Sequence, residues 1–151
     1  MEQGTLVHAT AIVAGTFCFL FVGPSGSGKT RLALGSIDSA RRSGRFAALV
    51  ADDQVLISRH GKNLIARCPT SIKGKAEIRG AGIVGIETVD AAKLDFAVRA
   101  TDPAVDLRMA SALEHYTLAQ DAMLPLLRLP IDSIDPWANL QRIMKAYLAE
   151  K

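Results

Sequence analysis

The chain has 151 residues, a length that fits one domain (residues 1–151), and its 49% apolar content fits a globular core. Its net charge of +3 is small and its aromatic content of 5% is low, so the composition argues against a nucleic-acid partner. The longest apolar run, residues 17–22, is far shorter than the ~20 residues of a membrane span, and no signal peptide is expected. We therefore expect a cytoplasmic protein without membrane insertion.

Two strands at the start of the chain are predicted to form a hairpin. Residues 5–13 alternate loosely and are rich in β-formers, and Gly15 separates them from the apolar residues 16–22. The second strand is apolar throughout, which is typical of a central strand covered on both faces.

The next segment, GPSGSGKT at residues 23–30, has the spacing G-x-x-x-x-G-K-[ST] of a phosphate-binding loop. Its glycines permit positive φ angles, so backbone amides can curl around a phosphate beside the positive end of a helix. The predicted nucleotide-binding residues are Gly23, Pro24, Ser25, Gly26, Ser27, Gly28, Lys29 and Thr30. Lys29 is expected to reach the β- and γ-phosphates, and Thr30 to offer its hydroxyl to Mg²⁺. A glycine-rich turn without a ligand is the alternative, but the strand, loop and helix signals together favour a nucleoside triphosphate.

A helix is predicted to begin within this motif and to cover residues 29–42. Its apolar stripe contains Ala33, Ile37 and Ala40, and two arginines lie in its last turn, where the helix dipole favours cations. Gly44 is expected to end it.

The rest of the chain predicts an α/β domain with a central mixed β-sheet. The expected elements are strands at residues 46–51, 94–100 and 124–129, a hairpin at 55–58 and 64–66, and a helix at 136–151 capped by Asp135. Three glycines in residues 76–86 predict a backbone that bends and closely approaches another group. Cys18 and Cys68 show no disulfide or zinc spacing, so we expect two reduced, buried thiols.

Asp52 and Asp53 directly follow an apolar strand, and they are the second candidate group for chemistry. In open α/β sheets the ligand crevice lies beyond the carboxyl ends of strands, beside the phosphate loop. A carboxylate there can hold Mg²⁺ or accept the proton of an attacking hydroxyl, and two adjacent carboxylates can divide these tasks. A solvated turn is the alternative interpretation.

Glu77 and Arg79 form a third, weaker candidate group. The glutamate can complete a metal shell, and the arginine can neutralise charge on a transferred phosphoryl group. The pattern Glu-x-Arg is also common on the surface of strands, so a structural role stays open.

These residues together resemble a known family. GPSGSGKT, then VADD, then EIRGAGIVGI is similar to the catalytic domain of bacterial HPr kinase/phosphorylase. The stretch EIRG-x-GI, residues 77–83, is the most specific of these, and His8 matches a histidine that precedes the phosphate loop in that family. The resemblance covers about residues 5–100 and implies the P-loop fold shared by HPr kinase and PEP carboxykinase.

The resemblance implies an ATP- and Mg²⁺-dependent protein-serine kinase whose substrate is HPr, a small phosphocarrier protein. The implied catalytic residues are Asp53, Asp52, His8, Lys29 and Arg79, and the implied metal ligands are Thr30, Glu77 and Asp52. Asp53 would accept the proton of the HPr serine, and Asp52 would support the metal or the base. A homo-oligomer, a hexamer in full-length relatives, is expected by the same resemblance.

The chain departs from the family pattern in several places. It begins almost at the catalytic strand, so we expect a short form without the additional N-terminal domain. Residues 129–135 are acidic where the family has a basic loop linked to dephosphorylation, which predicts weak or absent phosphorylase activity. Arg99 and Arg108 match the family's late catalytic arginine only by rough position.

Two other functions stay open. A nucleotide-sensing module would use the same loop without efficient catalysis, and the departures after residue 100 favour it. A small-molecule kinase of the P-loop class would need an arginine-rich lid and an acceptor pocket, and neither is clear in the sequence.

Overall fold

The computed structural model describes residues 4–106, 114–118 and 122–150. The strands are β1 (Thr5–Val7), β2 (Thr10–Ala14), β3 (Phe17–Val22), β4 (Ala47–Ala51), β5 (Val55–His60), β6 (Asn63–Arg67), β7 (Lys75–Ile78), β8 (Gly82–Gly85), β9 (Ala91–Lys93), β10 (Phe96–Thr101), β11 (His115–Thr117) and β12 (Met123–Pro130). The helices are α1 (Lys29–Arg42) and α2 (Pro136–Ala149), and Thr70–Ile72 form a 3₁₀ turn.

A mixed β-sheet forms the centre, with strand order β11-β12-β10-β3-β2-β4. Strands β12, β10 and β3 run parallel, whereas β2, β4 and β11 are antiparallel to their neighbours. A second, antiparallel sheet has the order β1-β5-β6-β9, and β7 pairs with β8 alone. The predicted α/β class with a central mixed sheet is confirmed.

Both faces of the central sheet are covered, as predicted for β3. Phe19 and Phe21 pack with the two helices, whereas Leu20 and Val22 pack with apolar residues of the second sheet, such as Val55. Successive side chains of a strand point to opposite faces, so one apolar strand supplies both cores.

The prediction of one strand over residues 5–13 is wrong in one respect, because the structure interrupts this strand after Val7. The segment that was expected to be continuous contains β1, which pairs with β5 of the second sheet, and β2, which pairs with β3 and β4. The break contains His8 and Ala9, and the Ala9 amide donates to the carbonyl oxygen of Asp53 at 3.2 Å. The interruption therefore brings the chain around His8 to the end of β4.

Helix α1 has the predicted bounds, and its predicted stripe is buried. In α2 the carboxylate of Asp135 accepts a hydrogen bond from the Ala138 amide at 3.1 Å, which confirms the predicted cap. The Trp137 amide donates to Ser39 Oγ of α1 at 2.9 Å, so the two helices are joined by a hydrogen bond as well as by packing.

The other predicted elements agree with the structure within a few residues. The hairpin around Gly61 is β5–β6, and the expected late strand is part of β12. Cys18 is buried as expected, but Cys68 is only half-buried. Arg108 and Lys151 lie outside the described residues. No helix in the described ranges is long and apolar enough to cross a bilayer.

Candidate active site

The glycine-rich loop joins the carboxyl end of β3 to the start of α1. Gly23 has φ 133° and Gly28 has φ 96°, a region that side chains rarely adopt. A Cβ built on Gly23 would lie 3.0 Å from Ser27 Oγ, and one on Gly28 would lie 3.3 Å from Ile131 Cγ2. The predicted positive φ angles are confirmed, and both glycines leave room that any other residue would fill.

Several polar groups of this loop are available to an anion. Helix α1 starts at Gly28 without a capping side chain, and its first turn contains no acidic residue. Ser27 Oγ is buried and, within the described residues, has no hydrogen-bond partner. Uncapped helix amides beside a buried hydroxyl are the donors that a phosphate requires, so this loop fits a phosphate group.

Lys29 is the cation of the loop, and only 6% of its surface is exposed. Its Nζ donates to the Pro24 carbonyl oxygen at 3.0 Å and lies 3.4 Å from His8 Nε2. Burial lowers the pKa of Lys29, and the negative charges of Asp53 and Asp52 oppose that shift only in part. A buried ammonium whose charge is incompletely balanced would be stabilised by a bound anion.

Asp52 is buried and connects β2, α1 and β7. Its Oδ1 accepts hydrogen bonds from Thr10 Oγ1 at 2.9 Å and from Thr30 Oγ1 at 2.8 Å. Its Oδ2 accepts from the Glu77 amide at 2.9 Å. The carboxylate at the end of β4 therefore contacts the threonine of the phosphate loop directly, and a solvated turn is excluded for this residue.

Asp53 is different, because its side chain is 69% exposed and its φ is 68°. Its Oδ1 lies 3.2 Å from His8 Nδ1, while His8 Nε2 lies 3.2 Å from Ser25 Oγ and 3.4 Å from Lys29 Nζ. Since a carboxylate only accepts and an ammonium only donates, these contacts fit an imidazole ring that donates from Nδ1 to Asp53 and accepts at Nε2 from Lys29. Asp53, His8 and Lys29 thus form one hydrogen-bonded chain beside the phosphate loop.

Arg79 reaches the phosphate loop from the β7–β8 hairpin. A Cβ on Gly26 would lie 3.8 Å from Nη1 and 3.9 Å from Nη2 of Arg79. The hairpin itself is exposed, and Cβ atoms on Gly80 or Gly82 would meet nothing within 4 Å. The bend predicted from these glycines is present, with φ 86° and 113°, but the close approach predicted for their backbone is not made to any group of the described residues.

The predicted metal ligands Thr30, Asp52 and Glu77 are linked by hydrogen bonds to the Asp52 carboxylate. Among the residues that the structure describes, no three or more His, Cys, Asp or Glu side chains are grouped to hold a metal by themselves. Mg²⁺ usually takes one or two carboxylates and completes its shell with phosphate oxygens and water. The adjacent hydroxyl of Thr30 and carboxylate of Asp52 fit that chemistry, and Glu77 is joined to the same carboxylate only through its backbone amide.

Sequence reasoning missed two residues that shape the site. Thr10 orients Asp52, and Ile131 closes against Gly28. Ser25 was predicted to bind nucleotide, but its contact with His8 was not foreseen. Thr10 was detectable in principle, because it is a polar residue at an inward-facing position of an apolar strand. Arg99 pairs in register with Val22, immediately before the phosphate loop, and it is exposed.

The fold and site define a class of α/β proteins in which a glycine-rich loop links a central strand to a helix beside an acidic strand end. The family model of the HPr Serine kinase C-terminal domain matches residues 1–124. The chain therefore belongs to the HPr serine kinase C-terminal domain family.

Individual relatives are similar over part of their length. The HPr kinase/phosphorylase of Mycoplasmopsis pulmonis is 32% identical over 87 residues, which are 58% of this chain and 26% of that protein. The HPr kinase/phosphorylase of Halalkalibacterium halodurans is 41% identical over 86 residues, 56% of this chain and 26% of that protein. The chain thus matches about a quarter of the length of these curated relatives.

A solved structure supports the fold independently. The Hpr(Ser) kinase/phosphatase from Coxiella burnetii matches with a TM-score of 0.72 at 20% identity, and the match covers 97% of each chain. The likeness in fold therefore extends over nearly the whole chain.

Proposed function

We propose that this chain uses ATP and Mg²⁺ to phosphorylate a serine of an HPr-like phosphocarrier protein. The observation that carries the proposal is the paired arrangement at the end of β4. Asp52 holds the hydroxyl of Thr30 at 2.8 Å, while Asp53, next in sequence, is exposed beside His8 and Lys29. One carboxylate is thereby committed to the phosphate loop, and the other is open to an acceptor.

The loop residues would bind and orient the donor. Backbone amides from Gly23 to Thr30 and the Nζ of Lys29 would hold the phosphates, and Thr30, Asp52 and Glu77 would hold Mg²⁺. When bound, ATP supplies the phosphoryl group, and Mg²⁺ neutralises charge on its oxygens.

Asp53 would orient the acceptor and take its proton. A serine hydroxyl beside Oδ2 of Asp53 can donate its proton to the carboxylate, while His8 Nδ1 holds Oδ1 in place. Arg79, whose guanidinium lies over Gly26, would add positive charge where negative charge increases during transfer. The position of Asp53 outside the core leaves space for a protein substrate.

The wider properties follow from family membership and remain proposals. We infer a cytoplasmic enzyme in which residues 1–151 form one catalytic domain, which acts on an HPr-like partner and assembles as a homo-oligomer, with a hexamer as the first expectation. Phosphorylase activity is proposed to be weak or absent, since the segment after β12 contains Asp132 and Asp135 rather than basic residues.

A nucleotide-sensing module is the second candidate. The family model stops at residue 124, so β12 is matched only at its start and α2 is not matched. A sensor would bind ATP at the same loop but would not transfer the phosphoryl group at a useful rate.

One experiment separates these functions. The chain is incubated with Mg²⁺, radiolabelled ATP and a purified HPr, and phosphoserine is identified by mass spectrometry; the reverse reaction uses phospho-HPr and excess phosphate. We expect phosphoserine on HPr, and we expect Lys29→Ala to lose both ATP binding and transfer. Binding of ATP without any phosphoserine would favour the sensor.

A further inference from the structure

A cleft of about 400 Å³ lies beside the phosphate loop, between α1 and the turn that follows β12. One wall is the side of α1, with Arg31, Gly35 and Arg42, and the other is the turn, with Asp132 and Ile134. The volume is within the range of small-molecule sites, about 300–1,000 Å³.

The cleft adjoins the phosphate loop through two of its lining residues, Ile131 and Arg31. Ile131, at the start of the turn, closes against Gly28, with its Cγ2 3.3 Å from the position of a Cβ there. Arg31, on the facing wall, directly follows Thr30 of the motif. The cleft therefore lies next to the loop, close enough for one ligand to contact both.

The turn is held by its own hydrogen bonds, so the cleft is preformed. Ser133 Oγ donates to the Pro130 carbonyl oxygen at 2.7 Å and accepts from Asn139 Nδ2 at 3.1 Å. The Ile131 amide donates to the Thr101 carbonyl oxygen at 2.8 Å. A preformed wall avoids the entropic cost of ordering a loop when a ligand binds.

The lining carries charge of both signs, since it contains two arginines, Arg31 and Arg42, and two carboxylates, Asp38 and Asp132, so it is less cationic than a phosphate site. Asp132 is an exposed carboxylate, and in the described part of the chain neither it nor Arg31 forms an ion pair. Ile134 is 99% exposed, so its side chain is available to a ligand in the cleft. A carboxylate repels phosphate but accepts hydrogen bonds from hydroxyls, and an exposed isoleucine gains from being covered by an aromatic base.

Gly35 keeps the floor of the cleft open. It lies in the middle of α1, where glycine costs about 1 kcal/mol relative to alanine. A Cβ there would lie 3.4 Å from Pro136 Cγ, at the foot of the opposite wall. Any longer side chain at this position would occupy the cleft.

We propose that this cleft binds the nucleoside half of the triphosphate whose phosphates bind residues 23–30. Asp132 accepts hydrogen bonds from the sugar hydroxyls, Ile134 covers the base, and Arg31 contacts the phosphate nearest the sugar. The inference rests on the proposed function, because it requires phosphates on the loop. It also explains why the turn is acidic. The carboxylate of Asp132 can accept hydrogen bonds from sugar hydroxyls, whereas it would repel a phosphate.

The test compares two ligands that share their phosphates. Isothermal titration calorimetry with Mg²⁺ measures the affinities of ATP and of inorganic tripolyphosphate. We expect ATP to bind the unchanged chain at least about tenfold more tightly, as hydrogen bonds to a charged group and apolar burial would give. In the double variant Asp132→Asn/Ile134→Ser this preference should disappear, with tripolyphosphate binding unchanged.

A matched control variant also removes one carboxylate and one exposed apolar side chain, but outside the cleft. Glu150→Gln/Leu148→Ser lies at the far end of α2, and it should keep the preference for ATP. Equal binding of ATP and tripolyphosphate by the unchanged chain, or a preference that survives in the Asp132→Asn/Ile134→Ser variant, would overturn this inference alone. Failure of both ligands to bind would overturn the proposed function and this inference together.

Discussion

When no anion is bound, the nearby Asp52 and Asp53 only partly offset the cost of burying the Lys29 ammonium. Its pKa is lowered because burial disfavours the ammonium more than the nearby aspartates favour it. We therefore expect Lys29→Met to raise the melting temperature of the ligand-free protein at neutral pH, although it abolishes phosphate binding. Thermal denaturation followed by circular dichroism measures this.

The difference in melting temperature between Lys29→Met and the unchanged chain should depend on pH in one direction. A lysine whose pKa is lower in the folded state destabilises the fold, and this cost is complete at pH values below the folded pKa. The cost disappears as pH rises toward the unfolded pKa of about 10.4. The advantage of Lys29→Met should therefore shrink as the solution becomes alkaline. An advantage that is constant with pH, or absent, would show that burial of the charge is not costly.

The two aspartates show what sequence can predict for single residues. Spacing predicts the phosphate loop well, because phosphate binding requires given residue types at given offsets. The division of labour between Asp52 and Asp53 could not be predicted in the same way. It depends on Thr10, which is 42 residues from Asp52 in sequence, and on the left-handed conformation of Asp53.

Gly35 lies inside α1 and Gly44 follows its end, and replacing each by alanine should have opposite effects on stability. Gly35 lies in the interior, and a Cβ there makes an ordinary contact of 3.4 Å with Pro136, so Gly35→Ala should raise the melting temperature by about 2–4 °C. Gly44 has φ 80°, so Gly44→Ala should destabilise by about 1 kcal/mol. Denaturation of both variants in parallel tests this, and a lower melting temperature for Gly35→Ala would show that the helix cannot accept a methyl group there.

At the level of elements, α1 was predictable and the first strand was not. The helix has its own signals, an apolar stripe and a glycine stop, which are local in sequence. The pattern of residues 5–13 indicates which side chains are buried, but it does not indicate which strand each part of the segment pairs with. Because β1 pairs with β5 and β2 pairs with β3, the break at His8 depends on partners far along the chain.

Binding at the phosphate loop should stabilise the whole molecule. A ligand that binds only the folded state at one hundred times its Kd contributes about 2.7 kcal/mol, or roughly 5–10 °C for a chain of this size. We expect Mg²⁺-ATP to give a shift of this order, and chelation of Mg²⁺ with EDTA to reduce it. Differential scanning fluorimetry measures the shift, and a melting temperature unchanged by saturating Mg²⁺-ATP would contradict binding.

The layering of the molecule lies beyond local sequence signals. The class and the central mixed sheet follow from element types, but the second sheet on the opposite face does not. Strand β10 lies between β12 and β3, so the centre is assembled from segments widely separated in the chain. Only this assembly brings the end of β4 beside the phosphate loop.

The arrangement of Asp53 beside His8 and Lys29 is the centre of this account, and one variant tests it directly. Asp53→Asn keeps the size of the side chain and tolerates the same backbone conformation, but it removes the proton acceptor. Transfer of phosphate from ATP to HPr should fall by about 10²–10⁴, while calorimetry shows unchanged ATP binding. Retained turnover in Asp53→Asn would contradict the account, because another group would then accept the serine proton.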